Sequence, residues 1–282
     1  MALRLPWTDR SGRFAPFKAV AFALLFVPAG LMGRDYLNGL YAPRLWIEFN
    51  HAAGDWTIRL LVLSLAITPL RQALRWPGLI QLRRMIGVAA FVYALAHFMA
   101  FTLDKKLDWW VIASEIALRF YLTIGFAVLL ALAALAATST DGMVRRMGGR
   151  AWQKLHYIAY PAGMLAVVHF FLQAKAGTTE ATVLAGILGW LLVWRLLARR
   201  SGGLSPLGLF VLSLFAAVTT ALGEAGYYGL FTGIDPWRVL QANIVQIGER
   251  PAWLVLGAGL AVTALALVRQ LTWARRPVAA GR

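Results

Sequence analysis

The chain has 282 residues, of which 60% are hydrophobic and only 14% charged, where a soluble domain carries roughly 25% charge. Its mean hydropathy is +0.66, and its apolar residues gather in runs near the length of about 20 that crosses a bilayer. With no cysteine present, disulfides, iron–sulfur clusters, thiolate metal sites and thioether-linked cofactors are excluded. The formal net charge of +16 would suit a nucleic-acid partner, a reading that fails once the charges are assigned to loops.

In chain order, the apolar runs predict eight membrane-spanning helices at about 17–33, 57–74, 84–103, 118–137, 153–173, 181–198, 205–231 and 251–269. The first run follows basic residues, as in a signal peptide. It is followed by Arg34, Asp35 and Tyr36 instead of a small-residue cleavage site, so a retained span is expected. The stretch Arg34–Trp56 reads as an outer loop. The expected fold is an all-α polytopic membrane helix bundle. A composition break at Arg199-Arg200-Ser201-Gly202-Gly203 divides it into a six-helix core, residues 1–200, and a C-terminal extension, residues 201–282, with two further spans.

Eight spans place both termini on one side. With the N-terminus there, 19 of the 28 Lys and Arg but only 2 of the 12 acidic residues (Asp9 and Asp141) fall on that side. This is the signature of a cytoplasmic face. The basic excess is therefore an orientation signal and no nucleic-acid patch. The reading is a multi-pass protein of a bacterial inner membrane with both termini cytoplasmic.

All four histidines precede residue 170: His51, His97, His156 and His169. His97 lies in the third predicted span, His156 and His169 in the fifth, and those two spans run in the same direction. His97 and His169 are thus both toward the outer side, while His156 is near the inner end, level with Arg83. Ionisable groups inside a bilayer are costly and tend to be functional. A lone intramembrane histidine is about as often a helix–helix hydrogen-bond partner. Two at matching depth on separate helices suit the axial ligation of one non-covalently held, b-type haem. His97 with His169 is the first choice, placing haem between helices three and five, and His156 is the second, on an inner haem. Arg83 shares a face with His97, being 14 residues away, about 21 Å along the axis and only about 40° around it. Its protonated guanidinium suits a haem propionate or the topology better than direct ligation. His156 and His169 are about 140° out of phase on an ideal helix; Pro161 between them predicts a kink. His51 reads first as an interfacial polar residue and second as a quinone or outer-haem contact. Thr138-Ser139-Thr140 reads as a polar cap.

Several short motifs occur in order over residues 50–200. They are His51-x-x-Gly54, Ile67-Thr-Pro-Leu70, Arg83-Arg84-x-x-Gly87, His97, Arg119-x-Tyr-Leu-Thr-x-Gly125, Thr138-Ser-Thr140, Trp152-Gln-x-Leu-His156 and His169. In these the chain resembles the MsrQ (YedZ) family of the broader ferric-reductase-like transmembrane group. The resemblance implies a haem-binding membrane subunit with one or two b-type haems. Such a subunit passes electrons to a periplasmic molybdopterin-dependent methionine sulfoxide reductase, MsrP. It implies electrons from the quinone pool or a cytosolic flavin reductase, and binding of a flavin, FMN. It also places the family's haem residues on His97, His156, His169 and Arg83. In this reading the chain is an electron-transfer subunit with no catalytic residue of its own. Two other classes stay open. One is another b-type cytochrome or ferric reductase component, for which no flavin–nicotinamide domain is seen after Arg269. The other is a proton-coupled transporter, which the scarcity of charge in the span centres disfavours.

Overall fold

The computed structural model of the chain describes residues 5–8, 11–174 and 177–274. Of the charges that set the expected orientation, Arg4, Asp9, Arg10, Lys175, Arg275, Arg276 and Arg282 lie outside the described residues. Among the described residues, eight helical segments are long and apolar enough to cross a membrane: Pro16–Leu37, Leu45–Ala73, Pro77–Asp104, Phe120–Ala137, Gly149–Gln173, Thr179–Ser201, Pro206–Phe231 and Pro251–Thr272. They correspond one for one to the predicted spans. The protein is a multi-pass helical membrane protein, the form in which a chain satisfies its own backbone polar groups in lipid.

The first segment is two helices, α1 (Pro16–Leu24) and α2 (Val27–Leu37). Tyr93 of α4 (Ile80–Asp104) separates them: its hydroxyl donates to Leu25 O at 2.8 Å and accepts from the Ala29 N–H at 3.1 Å. In an uninterrupted helix that N–H and that carbonyl would bond to each other, so the phenol is inserted into the ladder, a recognised cause of kinks. Tyr93→Phe removes both bonds and is expected to lower stability by about 1 kcal/mol. Thermal unfolding in detergent checks this, and an unchanged midpoint would argue against a structural role for the hydroxyl.

The second segment, α3 (Leu45–Ala73), begins well before residue 57, so residues 45–56 are helical and not loop. Glu48 stands in its first turn and pairs with Arg44 at 3.0 Å, four residues back. An acid near a helix N-terminus and an i,i+4 ion pair both favour helix there. The consequence is that Asn50, His51 and Gly54 are fixed on a helix. A 3-10 turn, Pro77–Leu79, leads into α4.

Two ten-residue helices had no expectation from hydropathy. One is α5 (Trp109–Leu118), capped by Asp108, whose carboxylate accepts from the N–H groups of Trp110 and Val111 at 3.1 and 3.0 Å. It meets α6 (Phe120–Ala137) at the extended Arg119. The other is α12 (Pro236–Val245). Thr140 caps α7 (Asp141–Met147) by accepting from Met143 N–H at 3.1 Å. The predicted kink is present as a break. α8 (Gly149–His156) ends at the histidine and α9 (Ala159–Gln173) follows. Pro161 has no N–H to offer Tyr157 O; the backbone instead tightens into three-residue turns, with Ile158 N–H donating to Leu155 O and Tyr160 N–H to Tyr157 O.

The chain forms two compact units. The first comprises Met1–Leu65 with Ile80–Gln173, and the second Ala66–Leu79 with Ala174–Arg282. In the first, α6 packs against α4, α5 and α9, and this unit holds all four histidines. In the second, α10 (Thr179–Ser201), α11 (Pro206–Phe231) and α13 (Pro251–Ala274) pack on one another, with α12 against α11. Small residues permit the approach, since a Cβ on Gly259 would collide with the Ser213 hydroxyl, which accepts from Trp190 Nε1 at 3.1 Å. The buried Glu224 pairs with Arg250 at 3.0 Å and accepts from Asn243 Nδ2 at 3.2 Å, tying the end of α11 to α12 and the start of α13. The composition break at 199–203 is the turn from α10 to α11, where Gly202 takes the left-handed cap conformation, φ 72°.

Candidate functional site

His97 from α4 and His169 from α9 face each other across the first unit. Their ring centroids are 6.2 Å apart and their planes are inclined at 86°. α6 packs against both of these helices.

Each ring is fixed by the same device. The Nδ1 of His97 bonds Asn50 O at 2.7 Å, and the Nδ1 of His169 bonds Tyr121 O at 2.8 Å. A carbonyl only accepts, so Nδ1 carries the proton in both rings and each Nε2 keeps its lone pair. Four residues after each carbonyl comes a glycine. A Cβ on Gly54 would lie 2.9 Å from His97 Nδ1, and one on Gly125 would lie 2.7 Å from His169 Cε1. Glycine removes the side chain that would cover the carbonyl one turn back, and the imidazole takes that place. Asn50 adds a second tie, its Nδ2 donating to His97 O at 2.7 Å. Metal-binding histidines are typically oriented in this way, the distal nitrogen donating to a carbonyl while the other faces the metal.

The separation of the rings can be tested against metal binding. An imidazole nitrogen binds a metal ion at about 2 Å. Two such bonds in line, plus roughly 1 Å from each nitrogen to its ring centre, put the centroids about 6 Å apart. The observed 6.2 Å fits one ion shared by the pair.

His156 stands apart from that pair, at the end of α8. Its ring stacks on Trp152, with centroids 3.7 Å apart and planes 24° apart, and its Nδ1 donates to Trp152 O at 3.0 Å. Trp152 is itself held by a bond from Nε1 to Thr138 O at 2.9 Å. Nε2 lies 3.4 Å from Ser139 Oγ, but that hydroxyl gives its single proton to Leu135 O at 2.7 Å. The Nε2 lone pair of His156 is thus also uncommitted. Arg83 is half-buried and lies within electrostatic reach of His156; its exposed neighbour Arg84 pairs with Asp141 at 2.6 Å. His51 is exposed on α3, with Nδ1 3.9 Å from Glu48 Oε2.

The structure brings His97 and His169 together and keeps His156 and Arg83 as a separate group. It also adds residues that reasoning from the histidines alone passed over: Asn50, Gly54, Tyr121, Gly125, Ser139 and Trp152. Most stand within the short motifs of the sequence.

Fold and site together define a polytopic helical membrane protein with paired intramembrane imidazoles. Residues 53–167 match the family model described as ferric reductase like transmembrane component. Among curated proteins, the chain is similar to the protein-methionine-sulfoxide reductase heme-binding subunit MsrQ of Rhodospirillum rubrum. The two are 41% identical over 203 residues, 70% of this chain and 95% of that protein. The MsrQ proteins of Xanthomonas axonopodis pv. citri and Xanthomonas campestris pv. campestris are 48% and 46% identical. Those matches span 52% and 55% of this chain, and 68% and 71% of the relatives. No solved structure matches. The chain belongs to the MsrQ family of heme-binding subunits.

Proposed function

We propose that this protein is a b-type cytochrome of the bacterial inner membrane that carries electrons outward to a periplasmic molybdopterin-dependent methionine sulfoxide reductase, MsrP. The observation that carries the reading is the His97–His169 pair, spaced for one shared metal ion with both Nε2 lone pairs available. Among the described residues no group of three or more His, Cys, Asp or Glu gathers to hold a bare ion. Two imidazoles complete a six-coordinate site when a macrocycle already supplies four nitrogens, which is the case for haem. Bound there, haem supplies a one-electron iron couple without covalent attachment.

The protein's own part is positional. Asn50 O and Tyr121 O hold the two rings in the ligating tautomer, and Gly54 and Gly125 admit them to the helix surfaces. His156 is the candidate ligand of a second, inner haem, with Arg83 pairing a propionate. Electrons come from the quinone pool or a cytosolic flavin reductase, with FMN as a further cofactor of the same reading. His51 is a candidate quinone or outer-haem contact. Residues 1–200 form the redox core, 201–282 extend it, and both termini are cytoplasmic. His156→Ala is then expected to remove an inner spectral component and leave the His97–His169 component in place. Redox-titrated absorption spectra separate the two, and an unchanged titration would remove the inner haem from the account.

The reading is tested by reducing the purified protein with dithionite, clearing the excess, and adding MsrP with a methionine sulfoxide substrate. Reoxidation that requires both additions is expected; its absence with active MsrP would contradict the assigned acceptor. The ferric reductase like description of the match over 53–167 favours one second reading, a cytochrome serving a different acceptor. In that case a ferric chelate would reoxidise the protein faster than MsrP does.

A further inference from the structure

In the second unit, where α3 and α10 end and α11 begins, there is a cavity of about 300 Å³. Its lining includes Gln72, Arg75, Trp194, Gly202, Gly203 and Leu209. Gln72 is one residue from the end of its span, and Gly202 and Gly203 follow the end of another. The mouth therefore sits at the membrane–water boundary. Trp194 and Leu209, 3% and 2% exposed, lie further inside their spans, so the cavity runs from that boundary into the apolar layer.

The polar groups at the mouth are specific. Gln72 Oε1 is buried with no hydrogen-bond partner, an acceptor in want of a donor. It points toward Gly203, where a Cβ would come within 3.2 Å of it. Arg75 lines the cavity and brings a guanidinium to it. Arg195, Arg199 and Arg200 near the end of α10 add positive charge on the same side of the membrane. Basic pockets between helices at a membrane face are suited to anionic lipid headgroups.

We propose that this cavity binds an anionic glycerophospholipid whose headgroup carries a free hydroxyl, phosphatidylglycerol being the simplest. The phosphate pairs with Arg75, the headgroup hydroxyl donates to Gln72 Oε1, and the glycerol and first acyl carbons lie against Trp194 and Leu209. Phosphatidylcholine offers a phosphate but neither net negative charge nor a hydroxyl donor, so it is the discriminating control.

Native mass spectrometry of the full-length protein, titrated with either lipid bearing identical acyl chains, tests the proposal. Phosphatidylglycerol is expected to bind at least about tenfold more tightly than phosphatidylcholine. Gln72→Glu sets a charge against the phosphate at unchanged size. Arg75→Asn removes the cation with a residue that tolerates the positive φ of 48° found there. Each should cut phosphatidylglycerol binding about tenfold and weaken phosphatidylcholine, whose phosphate is balanced by its own choline, by clearly less. Arg75 is exposed, so its variant keeps the test decisive if Gln72→Glu does not fold. Equal binding of the two lipids, or phosphatidylglycerol binding unaffected by Arg75→Asn, overturns the proposal. Displacement of the lipid by glycerol 3-phosphate at equal concentration also overturns it, assigning the cavity to a soluble phosphate ester.

Discussion

His97→Ala and His169→Ala are each expected to abolish the haem held between α4 and α9, leaving no more than residual absorbance from that site. The two substitutions should be equivalent in this respect, because each removes one of the two rings that face each other at 6.2 Å. The nearest ring nitrogen bonds, to Asn50 O and Tyr121 O, are to backbone and cannot be taken over by an alanine. Reduced-minus-oxidised spectra of the purified variants decide the matter. Full retention of the haem signal in both would refute the pairing, and retention in one alone would make that residue a bystander.

Gly125→Ala should cost nearly as much without touching a ligand. The new Cβ would lie 2.7 Å from His169 Cε1, 2.9 Å from Nδ1 and 3.1 Å from Nε2. The ring can move aside only by giving up its Nδ1 bond to Tyr121 O, one turn earlier on α6, which costs about 1 kcal/mol and takes the ring out of its ligating position. Loss of such an orienting contact typically lowers metal affinity about 10–100-fold, and a loss of that size in haem retention is expected. Alanine is also a better helix former than glycine, by roughly 1 kcal/mol, so the haem-free protein should not become less stable. Haem lost with the unfolding midpoint held identifies a positioning defect; haem and stability lost together would mean that the glycine serves packing. Gly223→Ala, on α11 with open space around the new Cβ, is the matched control and should leave both unchanged. Gly54→Ala should act as Gly125→Ala does, less severely, since its nearest approach to His97 is 2.9 Å.

Much of this architecture was legible in the sequence, for a physical reason. A bilayer tolerates only long apolar helices, so eight runs became eight spans with small shifts at their ends. Counting residues along two parallel spans gave His97 and His169 equal depth, and they do meet. Pro161 announced an interruption because the missing N–H has no substitute in a helix interior; the break falls at Tyr157–Ile158, one turn ahead of the ring. The polar stretch around Asn50 misled, since hydropathy reads polarity as loop while the Arg44–Glu48 pair and the packing of His97 favour helix. The two carbonyl–glycine cradles were out of reach for a different reason. Gly54 and Gly125 gain their meaning only when the helix carrying the facing histidine is known, and a single chain does not state which helices are neighbours. The same holds for Tyr93, whose hydroxyl completes a helix 64 residues away.

Whether the facing imidazoles hold a haem b is read from the absorption spectrum of the intact purified protein together with its haem-to-protein ratio. At least one haem per chain is expected, with a Soret band that shifts on dithionite reduction and the visible bands of a six-coordinate b-type cytochrome. A preparation that is folded and helical yet shows no reducible Soret band after haem is supplied would contradict it.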